Sequence, residues 1–460
     1  MQQNIRKKLT KFATIGLSGA MLLFATPLTY VDAAETQNTV LTNTQEVAKQ
    51  ALQAYLADSQ GLFVIDATAE QLQLPFSPDQ YYGRSLLTED GQKAWDYVVK
   101  ELLAFNPVND YPNLTTLNDG HGKFTINLKA AGITAPESDI KKFNKYLNGS
   151  DARMFHIRNW NQEYTKDAAG NVETVTFYIP GVYMGDNAYQ NTLMGMEAYV
   201  SEVLSVVDPR MTDAQKVAAL YKKYTSTMSY AWGGGKEIGN AVGALTNRIA
   251  ICGGYSFGFQ YILMRAGVQS IYMTGDTSEG YHAWNYVKAD GQWYFVDSTW
   301  GSDRWLLKGQ SSLTSHKPRT TQHFEPVPTL SETDYNLNDA IFSIEKYNET
   351  VANETYEMTV SVVEDVLNKY ADKLSQIRQI YMFEPTTLDF VGNEVEEAIV
   401  DEIRQAVKDK FTGTLAVSIA NFGNYTTVDE FMTEGLNISY QASDDTPYYS
   451  YTSSGVTVYE

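Results

Sequence analysis

The sequence predicts an α+β fold: a central unit in which a helix packs on a β-hairpin, a mixed α/β unit before it and a small α+β unit after it. Three patterns point there. Tyr255, Phe259, Ile262, Leu263 and Ala266 recur at helical spacing. His282–Val287 and Gln292–Asp297 are strand-like runs around Lys288-Ala289-Asp290-Gly291, a hairpin signal. Near the C-terminus, two helical patterns alternate with short runs of period two.

Along the chain, Arg6, Lys7, Lys8 and Lys11 precede an apolar run from Phe12 to Phe24, and Val31-Asp32-Ala33 offers a small-residue cleavage site. Residues 1–33 therefore predict a secretory signal peptide, with a retained membrane anchor as the alternative; the run is short for a bilayer span and is broken by Pro27. The expected location is secreted, extracellular, with cell-surface association as a variant of it. One cysteine in 460 residues gives an exported chain no disulfide framework, so core burial must carry the fold. The formal charge of −20 disfavours nucleic acid and anionic membrane as partners, and removing the basic leader makes the chain more acidic still.

Residues 34–199 predict the N-terminal mixed α/β domain. Ala34 to Gln45 is polar. Val47, Ala51, Leu52 and Tyr55 have helical spacing, as do Trp95, Val98, Val99, Leu102 and Leu103. Phe124, Ile126 and Leu128 alternate, and Thr174, Thr176, Tyr178 and Pro180 alternate after a turn at Asp167–Asn171. Tyr189–Val207 predicts a helix, and Thr212 the N-cap of another that carries Val217, Leu220 and Tyr221. These two helices open the central unit, residues 200–340. Residues 341–460 predict the C-terminal α+β domain. It has a helix through Val363, Val366, Leu367, Tyr370, Leu374 and Ile377, a strand at Gln379–Phe383 and a helix from Val395 to Val407. Alternation follows at Leu415–Ile419 and Leu436–Tyr440, and Asp444–Glu460 is an edge strand or a tail.

The chemistry concentrates between Cys252 and Asp297. A cysteine nucleophile reacts as the thiolate and needs a base beside it and a third group to hold that base. Cys252 is the chain's sole cysteine and falls at the start of the predicted helix, where the macrodipole favours a thiolate. A lone cysteine is often only a small buried hydrophobe. Gly253 and Gly254 directly after it argue instead for a backbone that a substrate can approach. A turn at Ala289-Asp290 sets His282 directly opposite Asp297. A turn at Asp290-Gly291 makes them diagonal neighbours. Both registers put the two side chains on one face, and a three-residue loop would separate them. The Cys252 N–H and a side chain from upstream, Tyr230 or Trp232, are candidate donors to an oxyanion. Gly233–Gly235 predicts a loop beside the cleft. His316 and His323 match no common zinc spacing, and no EF-hand-like loop occurs, so no metal or organic cofactor is expected.

Cys252 with its glycines and aromatic, His282-Ala-Trp-Asn, and Trp293-Tyr-Phe-Val-Asp297-Ser-Thr-Trp stand in one order. Together they resemble the transglutaminase-like superfamily of papain-fold cysteine enzymes, here in the form of a secreted bacterial multidomain member. The resemblance implies a papain-like, transglutaminase-like core, with Cys252 as nucleophile, His282 as general base and acid, and Asp297 as orienting carboxylate. The expected function is acyl transfer or hydrolysis at a protein glutamine or peptide carbonyl through a thioester. An extracellular cysteine protease or cell-wall peptidase is one alternative. A catalytically silent binding or adhesion protein is the other.

Overall fold

The structure, a computed structural model, describes residues 67–107, 114–157, 162–233, 235, 237–319, 322 and 324–459. The leader, the polar stretch 34–45, the helix read at Val47–Tyr55 and His323 lie outside the described residues.

The first long helix, α1 (Glu89–Leu103), is capped by Thr88, whose hydroxyl accepts the Gly91 N–H. Its apolar stripe, Trp95, Val98, Val99, Leu102 and Leu103, is fully buried, as the spacing predicts. An antiparallel sheet follows, with β1 (Leu114–Thr116), β2 (Gly122–Asn127), β5 (Asn171–Ile179) and β3 (Ala135–Pro136) in spatial order, and β4 (Gln162–Lys166) also on β5. In β2, Phe124 and Ile126 point into the core and the residues between them are half-exposed. Helix α2 (Glu137–Ser150) packs near this sheet.

Helix α3 (Ala188–Leu204) leads to α4 (Asp213–Thr225), where Thr212 and Gln215 form a capping box. Short strands β6 (Ser229–Tyr230) and β7 (Ile249–Ala250) bracket α5 (Ala241–Asn247) and pair in parallel. Helix α6 (Cys252–Arg265) packs on β8 (Ser270–Thr277) and β9 (Gly280–Ala289). With β10 (Gln292–Val296) and β11 (Lys317–Pro318) these strands form an antiparallel sheet in the order β10-β9-β8-β11. One hydrophobic core runs from Ala67 to Ala340 and draws on residues before and after Val200, which is itself buried inside α3.

A second core runs from Ala352 to Tyr451. It lies between two helices, α7 (Ile344–Lys369) and α8 (Glu394–Val407), and a sheet ordered β12 (Gln379–Glu384), β13 (Thr414–Ala420), β14 (Leu436–Gln441), β15 (Tyr448–Thr452) and β16 (Gly455–Tyr459). Helix α7 corrects the reading of a helix running to Ile377. It starts at a Ser343 cap, ends at Lys369, and leaves Leu374 to a separate short turn. Its first half is poor in apolar spacing because buried threonines line it; Thr355 and Thr359 return their hydroxyls to the Val351 and Thr355 carbonyls. The last residues form the β15–β16 hairpin, with β16 at the sheet edge. The chain is thus α+β.

Candidate functional site

Backbone pairing places Cys252. The β6–β7 pair sets Tyr230 beside Ala250, two residues ahead of the thiol. Ile251 donates its N–H to the Ile238 carbonyl at 3.0 Å and caps α6 in extended geometry with no side-chain bond. The first N–H groups of α6 therefore have no intrahelical acceptor and face outward with the helix dipole. Gly254 is required, because a Cβ there would collide with the Ile238 carbonyl oxygen. Cys252 itself is half-buried.

Hairpin register places the other two groups. Val296 pairs with Asn285 and Gln292 with Ala289, so Asp297 falls opposite Trp284, diagonal to His282 and on its face. The turn is Asp290-Gly291, with φ of +48° and +85°. Positive φ at both centres is the hairpin turn that Asp-Gly favours. Of the two registers open to the sequence, the diagonal one is observed. Asn285 fastens the hairpin to the cysteine helix by donating to the Ser256 carbonyl at 3.0 Å.

His282 Nε2 lies 2.9 Å from Asp297 Oδ2. Nδ1 is then the nitrogen left for the Cys252 thiol, with which the ring is hydrogen-bonded. Burial alone would push the His282 pKa down. The bonds to Asp297 and Cys252 outweigh it and raise the value to about 9. Burial likewise opposes ionisation of Asp297, but the hydrogen bond from His282, the neighbouring His316 imidazole and the Thr299 N–H hold its carboxyl below the usual range. Its Oδ1 accepts the Thr299 N–H at 2.8 Å, and the Tyr221 hydroxyl donates to its main-chain carbonyl at 2.8 Å. Asp276, a conceivable alternative partner of the histidine, is instead paired with Arg319 on the surface.

The two aromatic donor candidates separate. The Tyr230 phenol accepts the Cys252 backbone N–H. Burial, then the nearby thiol, push its pKa up, so the hydroxyl keeps its proton. Trp232 is 89 % exposed and leans on the Tyr230 ring at 4.7 Å, one layer farther out. Three further side chains complete the surroundings. Trp300 stacks on His282 and Tyr272 lies close to the thiol. The third, His316, which the sequence left outside the site, is buried with Nε2 3.5 Å from Asp297 Oδ2. Ligand atoms of His282, Asp297 and His316 lie within 4.8 Å of one another. The His282–Asp297 bond already engages the atoms a cation would need, and we assign no metal there.

Such an arrangement can remove a proton from a thiol, store it on an imidazole, and present N–H and O–H donors beside the attacking sulfur. Residues 202–298 match the transglutaminase-like superfamily. Over 63 residues the chain is 41% identical to the kyphoscoliosis peptidase of Mus musculus, covering 11% of this chain and 10% of that protein. Over 124 residues it is 30% identical to the Homo sapiens kyphoscoliosis peptidase, covering 24% and 18%. The matches thus span less than a fifth of either relative. A solved structure from Cytophaga hutchinsonii, described as a candidate cysteine protease, overlaps 34% of this chain and 65% of its own at 13% identity and a TM-score of 0.21. A solved TGase overlaps 38% and 50% at 12% identity and a TM-score of 0.21.

Proposed function

We propose that this chain is a secreted cysteine acyltransferase or hydrolase acting on protein glutamine or peptide carbonyls. One observation carries the reading. The imidazole of His282 bridges the chain's sole cysteine, at a helix N-terminus, and a fully buried carboxylate 2.9 Å away.

In this reading His282 Nδ1 takes the Cys252 proton and Sγ attacks the carbonyl carbon. The Tyr230 hydroxyl turns from the Cys252 N–H to the developing oxyanion, and both then donate to it. The amine or ammonia departs with the proton from His282, leaving a thioester. Water or a lysine amine attacks the thioester, gives its proton to His282, and releases the thiolate, which takes that proton back. Asp297 keeps Nε2 protonated and supports the imidazolium throughout.

Peptide-bond hydrolysis is a second reading, favoured by the likeness to the kyphoscoliosis peptidases. The deciding experiment incubates the protein with a glutamine-rich protein, with and without a labelled primary amine. Amine incorporation identifies crosslinking chemistry, ammonia release alone deamidation, and new N-termini proteolysis. Identical behaviour of wild type and Cys252→Ala in all three assays across a broad substrate panel would favour a binding or adhesion role.

A further inference from the structure

His316 has no part in the three-residue arrangement just described, yet it is buried against it. Its side chain is fully enclosed. The rings of Phe295, Trp300, Trp284 and Trp305 surround it, with centroids 4.7 to 5.1 Å away. A polar ring in such a box is destabilised unless its nitrogens are satisfied. Nδ1 lies 3.1 Å from the Ser315 hydroxyl. Among the described residues Nε2 makes no well-formed hydrogen bond, and Asp297 Oδ2 stands 3.5 Å away. If Ser315 donates to Nδ1, the ring proton is on Nε2, 3.5 Å from Oδ2, the same oxygen that receives His282. Its position is set by the backbone: Lys317 pairs with Asp276 on β8, and Gly275 lets the Lys317 carbonyl come within reach that a Cβ would deny.

We propose that His316 is a positioning residue that donates from Nε2 to Asp297 and holds the carboxylate in the orientation His282 needs. A carboxylate buried among aromatics is free to turn if only one side chain grips it. With His282 and His316 on Oδ2 and backbone N–H groups on Oδ1, it has one orientation. Among the described residues the titratable side chains facing His316 are Asp297 and, across the shared oxygen, His282, and the four aromatic rings wall it. This inference rests on the proposed role of Cys252.

The test follows alkylation of Cys252 by iodoacetamide from pH 5 to pH 9 in the full chain, read by mass spectrometry. Wild type should react fast near pH 6. His316→Phe, which fits the aromatic box, should slow that reaction about 10-fold and make its rate depend more steeply on pH. His316→Gln, with an amide N–H near the Nε2 position, should recover to within about 3-fold. In an Asp297→Asn background His316→Phe should add less than about 2-fold, since it acts through Asp297. A folded His316→Phe with the wild-type profile, a Gln variant as slow as Phe, or additive losses each overturn the proposal. The ¹⁵N spectrum of the wild-type histidines decides if the Phe variant does not fold: an Nε2–H tautomer at His316 supports the proposal and an Nδ1–H tautomer defeats it. A wild-type thiol that reacts like free cysteine defeats the proposed function and this inference with it. A fast wild type with unmoved variants defeats this inference alone.

Discussion

The Trp300 ring lies 4.9 Å from the His282 ring with the planes 18° apart. It covers one face of the imidazole and fixes the ring plane in which the Asp297 and Cys252 bonds lie. Trp300→Ala should therefore loosen the ring and cut turnover about 10-fold with the fold intact. Circular dichroism and an activity assay check it.

The pH dependence of the His282–Asp297 pair follows from its direction. A folded pKa of about 9, above the ordinary value, gives stability that is fully present below the unfolded pKa and lost as pH rises through about 9. Asp297, with its pKa lowered, contributes above the ordinary carboxylate value and loses that contribution as pH falls through its folded pKa. The Tm gap between wild type and Asp297→Asn should be widest near pH 5–6 and narrow as pH rises through about 9. The acyl-transfer rate should show an alkaline limb near 9 as the imidazolium is lost. A gap that widens with rising pH would show that the pair does not stabilise the fold in this way.

Asp297→Asn should leave the chain folded and reduce turnover by about 10- to 10⁴-fold, the range expected when an orienting carboxylate is neutralised. Circular dichroism and steady-state rates check it. Full activity in a folded variant would assign the orienting role to another group.

Gly254→Ala should destabilise by about 1–3 kcal/mol, because its methyl group meets the Ile238 carbonyl and the Ala250 side chain. The helix start would shift, and Cys252 alkylation at pH 6 would slow beyond the loss in Tm. Wild-type Tm and reactivity together would mean that the 238–254 contact yields without strain.

Much of this arrangement is legible in the sequence because it is local. The helix of Cys252 follows from apolar spacing that Gly267 ends at φ +81°. The shared face of His282 and Asp297 holds in both two-residue-turn registers, and the structure chooses between them and excludes the three-residue loop. His316 was not legible. Its place depends on β11 pairing with β8 and on the close approach at Gly275, neither of which leaves a local pattern around the histidine. Trp300 and Tyr272 reach the site by packing that the sequence does not encode as spacing. The extent of α7 was hidden by threonines that bond their own helix instead of presenting an apolar stripe.

The central claim is that His282 activates Cys252, and the most direct measurement compares Cys252 alkylation by iodoacetamide in wild type and His282→Ala at pH 6.5. The account predicts that wild type reacts at least about 100-fold faster, with the difference shrinking as pH rises and the thiol ionises unaided. Equal rates at pH 6.5 in two folded proteins would contradict it.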